Sequence, residues 1–305
     1  MKDSIYFKQA ELLLRVLPFI DREAIFSLKG GTAINFFVRD LPRISVDIDL
    51  VYLPIRERDV SLGDISSGLV RISQGIGRKI PGTMISSRKI RGTAFLSGLI
   101  VGRQEATVKI EPNLVMRGSV FPTERRNLSK KAQNLFGLSV ESRILLADEL
   151  YAGKICAALD RQHPRDFFDV HMLFKNEGIH TAMRKAFIVY LISHPRPMVE
   201  ILNPRFRDIR PVFEKEFKGM TFENVTCEDL IKTREQLVTA IKTGLTLDER
   251  QFIVSVKENN PQWELLGIEG IENLPAVKWK LLNIKEMNPS KHKKAVRKLR
   301  NYLGV

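Results

Sequence analysis

LKGGTAINFFVRDLPRISVDIDLVYLP, residues 28–54, joins a Gly-Gly pair to two carboxylates separated by a single residue. Side chains alternate along a β-strand, so Asp47 and Asp49 point to one face about 7 Å apart, within joint reach of a hard metal ion. Ile44, Val46, Ile48 and Leu50 occupy the other face and residues 51–53 extend the apolar run. This predicts a strand over 45–53 that holds both aspartates on a rigid element. Gly30 and Gly31 precede a helix predicted over 32–38, and such a turn offers backbone N–H groups and a helix amino-terminus to an anion. Each feature alone has a plain structural explanation, a tight turn or a solvated strand edge. Together, a carboxylate pair and a phosphate cradle point to phosphoryl or nucleotidyl transfer.

Outward from this segment, residues 6–20 have helical periodicity and residues 24–28 form a short strand leading into the glycines. Residues 56–78 read as a connection of helical character weakened by Gly63, Gly68, Gly75 and Gly77. Strand-like runs follow at 83–90, 93–101 and 106–112, the last two forming a hairpin around residues 102–105, and Glu111 is expected beside the aspartate strand. From residue 140 the pattern reads as helical throughout, with one helix over 141–161 that carries Lys154 at its middle. His163-Pro164 breaks it, and the next helix starts with Asp166 and Asp169 three residues apart on one face, where acidic residues also suit the helix dipole. Further helices are expected at 181–193, 207–217, 227–243 and 247–259. Trp263 and Trp279 fit helix packing or base stacking. The class is α+β: a small mixed sheet with helices over residues 1–139, helices completing the site over 140–178, and a helical carboxy-terminal domain over 179–305.

The chain has 305 residues, enough for two domains, and a formal charge of +14 that is unevenly spread. Residues 56–131 hold fifteen Lys/Arg against six Asp/Glu, and residues 275–305 hold nine against one. Two basic segments in an otherwise slightly acidic chain are the footprint of a polyanion partner such as nucleic acid. The last segment, 289–303, reads as a basic amphipathic helix suited to phosphates, a membrane surface or an acidic protein. Of two cysteines, Cys156 falls on an apolar helical face and reads as a core residue. Acidic residues and a short apolar run at the amino-terminus argue against a signal peptide or membrane span, so a cytoplasmic location is expected.

Four places resemble the nucleotidyltransferases and, within them, the AbiEii abortive-infection toxins of type IV toxin–antitoxin pairs. They are Lys29-Gly30-Gly31-Thr32-Ala33, Ser45-Val46-Asp47-Ile48-Asp49, Val108-Lys109-Ile110-Glu111-Pro112-Asn113, and Glu149-Leu150-Tyr151-Ala152-Gly153-Lys154 followed by Arg161 and Arg165-Asp166-Phe167-Phe168-Asp169. The resemblance implies Asp47, Asp49 and Glu111 as ligands of Mg²⁺ or Mn²⁺, with Glu111 a ligand or the base for the attacking hydroxyl. It implies Gly30, Gly31, Thr32 and Ser45 as contacts to a nucleoside triphosphate and Lys154 as the cation for its β- and γ-phosphates. Asp166 and Asp169 would position Lys154 or the nucleotide. The implied acceptor is RNA, at a tRNA 3′ end, with a cognate antitoxin as partner. The sequence departs from the wider pattern in having Gly-Gly-Thr for Gly-Ser and Glu111 for aspartate. Transfer to a protein or small molecule, or nucleic-acid binding without catalysis, are the alternatives. The net positive charge disfavours cationic small acceptors.

Overall fold

The computed structural model describes residues 4–305; Met1 to Asp3, at the start of the amino-terminal stretch read above, lie outside the described residues. The chain divides into two compact units, Met1–Leu150 with Gly219–Asn224, and Tyr151–Lys218 with Val225–Val305.

In the first unit, α1 (Ile5–Asp21) leads to β1 (Phe26–Lys29), which runs directly into the short helix α2 (Gly30–Ala33). The strand β2 (Asp47–Tyr52) and the helix α3 (Arg58–Lys79) follow, then β3 (Thr83–Lys89), β4 (Leu96–Arg103), β5 (Ala106–Asn113), β6 (Thr123–Asn127), α4 (Lys130–Phe136) and β7 (Glu141–Leu145). Among the described residues these strands form one seven-stranded mixed sheet in the order β3-β4-β5-β2-β1-β7-β6. β2 lies antiparallel to β1 and parallel to β5, so the aspartate strand is at the centre. α1 and α3 pack on each other and on the strands, covering Ile48, Leu50, Val108 and Ile110, all fully buried. The opposite parity, Asp47, Asp49 and Glu111, stays half-buried.

Several local expectations change. The glycines over 63–77 do not interrupt α3, a single helix of 22 residues. Gly68 and Gly75 let the helix lie against Phe26 and Phe19, where a Cβ would come within 2.9 Å of each ring. The helix expected at 32–38 begins at Gly30 and widens to a π-helical turn over Ile34–Val38. There the Arg39 N–H donates to the Ile34 carbonyl at 2.7 Å, while Asn35 Nδ2 donates to the Gly31 carbonyl at 2.9 Å. The single helix expected over 141–161 is the strand β7 followed by α5 (Ala147–Arg161). Ile144 and Leu145 suit either period, and Ile144 pairs with Leu28 across the sheet.

The division between units falls inside α5. The second unit is helical: α6 (Pro164–Asn176), α7 (Thr181–Ser193), α8 (Met198–Leu202), α9 (Arg210–Glu216), α10 (Cys227–Gly244), α11 (Leu247–Lys257), α12 (Pro275–Lys285) and α13 (Pro289–Leu303). Thr226 and Thr246 close capping boxes with Asp229 and Glu249, fixing where α10 and α11 begin. Cys156 is buried and unbridged, as its apolar setting predicts. Trp263 packs on Phe252, with ring centroids 5.7 Å apart, whereas Trp279 stands 58% exposed. Among the described residues no helix is long and apolar enough to cross a membrane.

Candidate active site

Gly30 has φ +70°, and a Cβ built there would lie 2.4 Å from Asp49 Oδ2. One at Gly31 would lie 2.6 Å from Arg43 Nη2 and 3.1 Å from Ser45 Oγ. The turn backbone therefore approaches a carboxylate and a hydroxyl more closely than any side chain allows. Thr32 Oγ1 donates to the Asp47 carbonyl at 2.6 Å, which leaves the Ser45 hydroxyl, 3.0 Å away, to donate to Thr32. These bonds tie the start of β2 to the turn. Gly30→Ala should cost about 1–2 kcal/mol in backbone strain and displace Asp49, so nucleotidyl transfer should fall more steeply than stability. Thermal melts and turnover measured on one preparation check this.

Asp47 and Asp49 lie on one face of β2, as alternation predicts, and Asp49 is paired in register with Lys29 of β1 and Glu111 of β5. Glu111 is ion-paired with Arg88 of β3. Arg88 reaches it across β4 at Gly98, its register partner. A Cβ at Gly98 would lie 3.3 Å from Arg88 Nη2 and 2.7 Å from the Ile110 carbonyl. Among the described residues no group of three His, Cys, Asp or Glu side chains is gathered to hold a metal ion. The Asp47/Asp49 pair alone supplies hard oxygen donors of the kind Mg²⁺ takes, on a common face beside a turn that only glycine can make.

The second unit holds the other set. Lys154 of α5 is 6% exposed, with its ammonium 3.0 Å from both Asp166 Oδ1 and Asp169 Oδ2, neither of which is exposed. Arg161 adds two bonds to Asp166, at 2.5 and 2.8 Å. Burial works to raise the Asp166 pKa, but the Lys154 and Arg161 charges outweigh it and hold the carboxyl well below the usual range. His163 caps α6 ahead of Pro164, its Nδ1 accepting from the Arg165 N–H. Both aspartates therefore face Lys154, through the three-residue spacing that places them on one side of α6, and Asp166 is shared with Arg161.

Within the first unit the structure brings together Gly30, Gly31, Thr32, Ser45, Asp47, Asp49 and Glu111, and within the second Lys154, Asp166 and Asp169. Sequence reading missed Arg43 and Arg88. Arg43 is fully buried and donates to the Ile44 carbonyl at 2.9 Å, and no motif marks it. Gly98 inside a strand was the available sign of a side chain crossing β4.

The family model described as Nucleotidyl transferase AbiEii toxin, Type IV TA system, matches residues 11–280. The chain belongs to this family: it is a nucleotidyltransferase, and membership brings a nucleoside triphosphate as substrate and an antitoxin as partner. The fold is similar to that of MenT4, nucleotidyltransferase toxin Rv2826c from Mycobacterium tuberculosis H37Rv. The TM-score is 0.62 at 14% identity, over 92% of this chain and 93% of that one. Comparison with curated proteins returned no match.

Proposed function

We propose that this nucleotidyltransferase moves NMP from a nucleoside triphosphate to an RNA, with the tRNA 3′ end as acceptor. Asp47 and Asp49 would hold Mg²⁺, which when bound neutralises charge on the phosphates. Gly30, Gly31, Thr32 and Ser45 receive the triphosphate through turn N–H groups and hydroxyls. Glu111, once released from Arg88, joins the carboxylate set as ligand or takes the acceptor proton. Lys154, oriented by Asp166 and Asp169, is assigned to the β- and γ-phosphates by the resemblance.

The observation that carries the RNA acceptor is on α13. Lys291, Lys293, Lys294, Arg297 and Lys298 are exposed, and their side chains make no hydrogen bond or ion pair with a described residue. Arg300 is the exception, paired with Glu258 at 2.7 Å. Leu299 and Leu303 are buried, so the apolar stripe is already used and is not free to enter a bilayer. The outer face offers no apolar anchor for a protein partner either. Uncompensated charge without an anchor suits a phosphate backbone.

Purified protein with Mg²⁺, total tRNA and each α-labelled triphosphate in turn should label RNA with one nucleotide preferred. Replacing the five α13 cations by Gln should weaken tRNA binding and flatten the plot of log affinity against log salt by about 3.5–4.5, at roughly 0.7–0.9 per lost phosphate contact. No label with any triphosphate, from folded protein that binds one, points instead to a protein or small-molecule acceptor.

A further inference from the structure

Arg117 lies in the loop between β5 and β6, is 8% exposed, and has Nε and Nη1 buried with no hydrogen-bond partner. Among the described residues no carboxylate forms an ion pair with it. Its position is set by backbone bonds: the Gly118 N–H donates to the Tyr52 carbonyl at 2.8 Å, and Asn113 Oδ1 accepts from Val115 and Met116. Nε and Nη1 are therefore held in place without a hydrogen bond to any described residue. Burial lowers its pKa, the nearby Arg58 charge lowers it further, and Tyr52 and Glu57 act weakly the other way. A buried cation beside a like charge is costly unless an anion joins them.

A second observation meets the first. Arg58 opens α3, whose N-cap residue Glu57 makes no side-chain cap bond. Ser61 Oγ is turned to the Arg56 and Glu57 carbonyls, not to the free N–H groups. Arg58, itself 71% exposed, stands at the positive end of a long helix dipole, offset by Asp59 at 3.7 Å and by the N-cap residue Glu57. Both features adjoin the carboxyl end of β2: α3 begins six residues after Tyr52, and Gly118, next to Arg117, is bonded to the Tyr52 carbonyl.

We propose that Arg117, Arg58 and the amino-terminus of α3 bind a small phosphate-type oxyanion, at a site separate from the carboxylates. Tyr52 marks its place, five residues along β2 from Asp47, roughly 16 Å at strand rise. The site is independent of the RNA reading. Its test is thermal melting of the full chain in chloride at matched ionic strength, against inorganic phosphate and, separately, pyrophosphate. Either oxyanion should raise the Tm of the native protein by about 2–4 °C at concentrations near ten times its Kd. Arg117→Met, which fills the space without charge, should melt no lower than the native protein in chloride and should show a smaller rise, keeping only what the Gly30–Gly31 turn contributes. A rise undiminished in Arg117→Met, or none in the native protein with either oxyanion, would overturn the site. A lower Tm of Arg117→Met in chloride would overturn it too, since Arg117 would then already be satisfied.

Discussion

Asp47→Asn should leave the first unit folded and cut nucleotidyl transfer by about a thousandfold or more, the scale on which loss of a transition-state charge stabiliser is felt. The substitution keeps the side-chain shape and removes one negative charge from the face of β2. Asp47 is half-buried, while the residues that hold the strand, Ile48 and Leu50, are fully buried on the other face. The Thr32 hydroxyl bonds to the Asp47 backbone carbonyl, not to its carboxylate, so the tie between turn and strand survives. Stability should move by about 1 kcal/mol or less, the centre of the range for single substitutions. The measurement is label incorporation with Mg²⁺ beside a thermal melt of the same preparation. A folded Asp47→Asn protein with native turnover would remove the metal site from β2 and with it the assigned roles of Asp49 and Glu111.

How far the residues alone reach depends on how local the cause is. The β1–glycine–β2 core was legible because strand alternation and glycine's freedom at positive φ act within a few residues, and the registers Lys29 with Asp49 and Asp49 with Glu111 confirm that geometry. Strand β7 was read as helix because Ile144 and Leu145 satisfy both periods, and only pairing with Leu28 decides between them. The ion pair of Arg88 with Glu111 spans 23 residues and exists because β4 lies between them with a glycine at the crossing point. No local pattern encodes that. Lys154 stands out in the sequence only through the resemblance, and its burial follows from two aspartates supplied by α6.

That burial leads to the second large effect. Lys154→Met should destabilise the second unit by about 3–5 kcal/mol, the cost of leaving buried charge without its partner. Two fully buried carboxylates would lose their shared ammonium, and Arg161, itself 60% exposed, would remain on Asp166. The pH dependence separates this from loss of packing. In the native protein the folded-state pKa of Asp166 lies below the unfolded value of about 3.9. Its contribution is therefore complete above about pH 4 and is lost as pH falls through the folded value. In Lys154→Met that depression weakens, since burial of Asp166 is then opposed by Arg161 alone. The gap in Tm between native and Lys154→Met protein should thus be widest at neutral pH and narrow as pH falls through about 4. A gap that stays constant with pH would mean that Lys154 contributes by packing its methylenes. Equal Tm values at pH 7 would mean that the ion pairs do not hold this unit together. Lost turnover in Lys154→Met becomes evidence for a phosphate-facing role only at temperatures where the melt shows the second unit still folded.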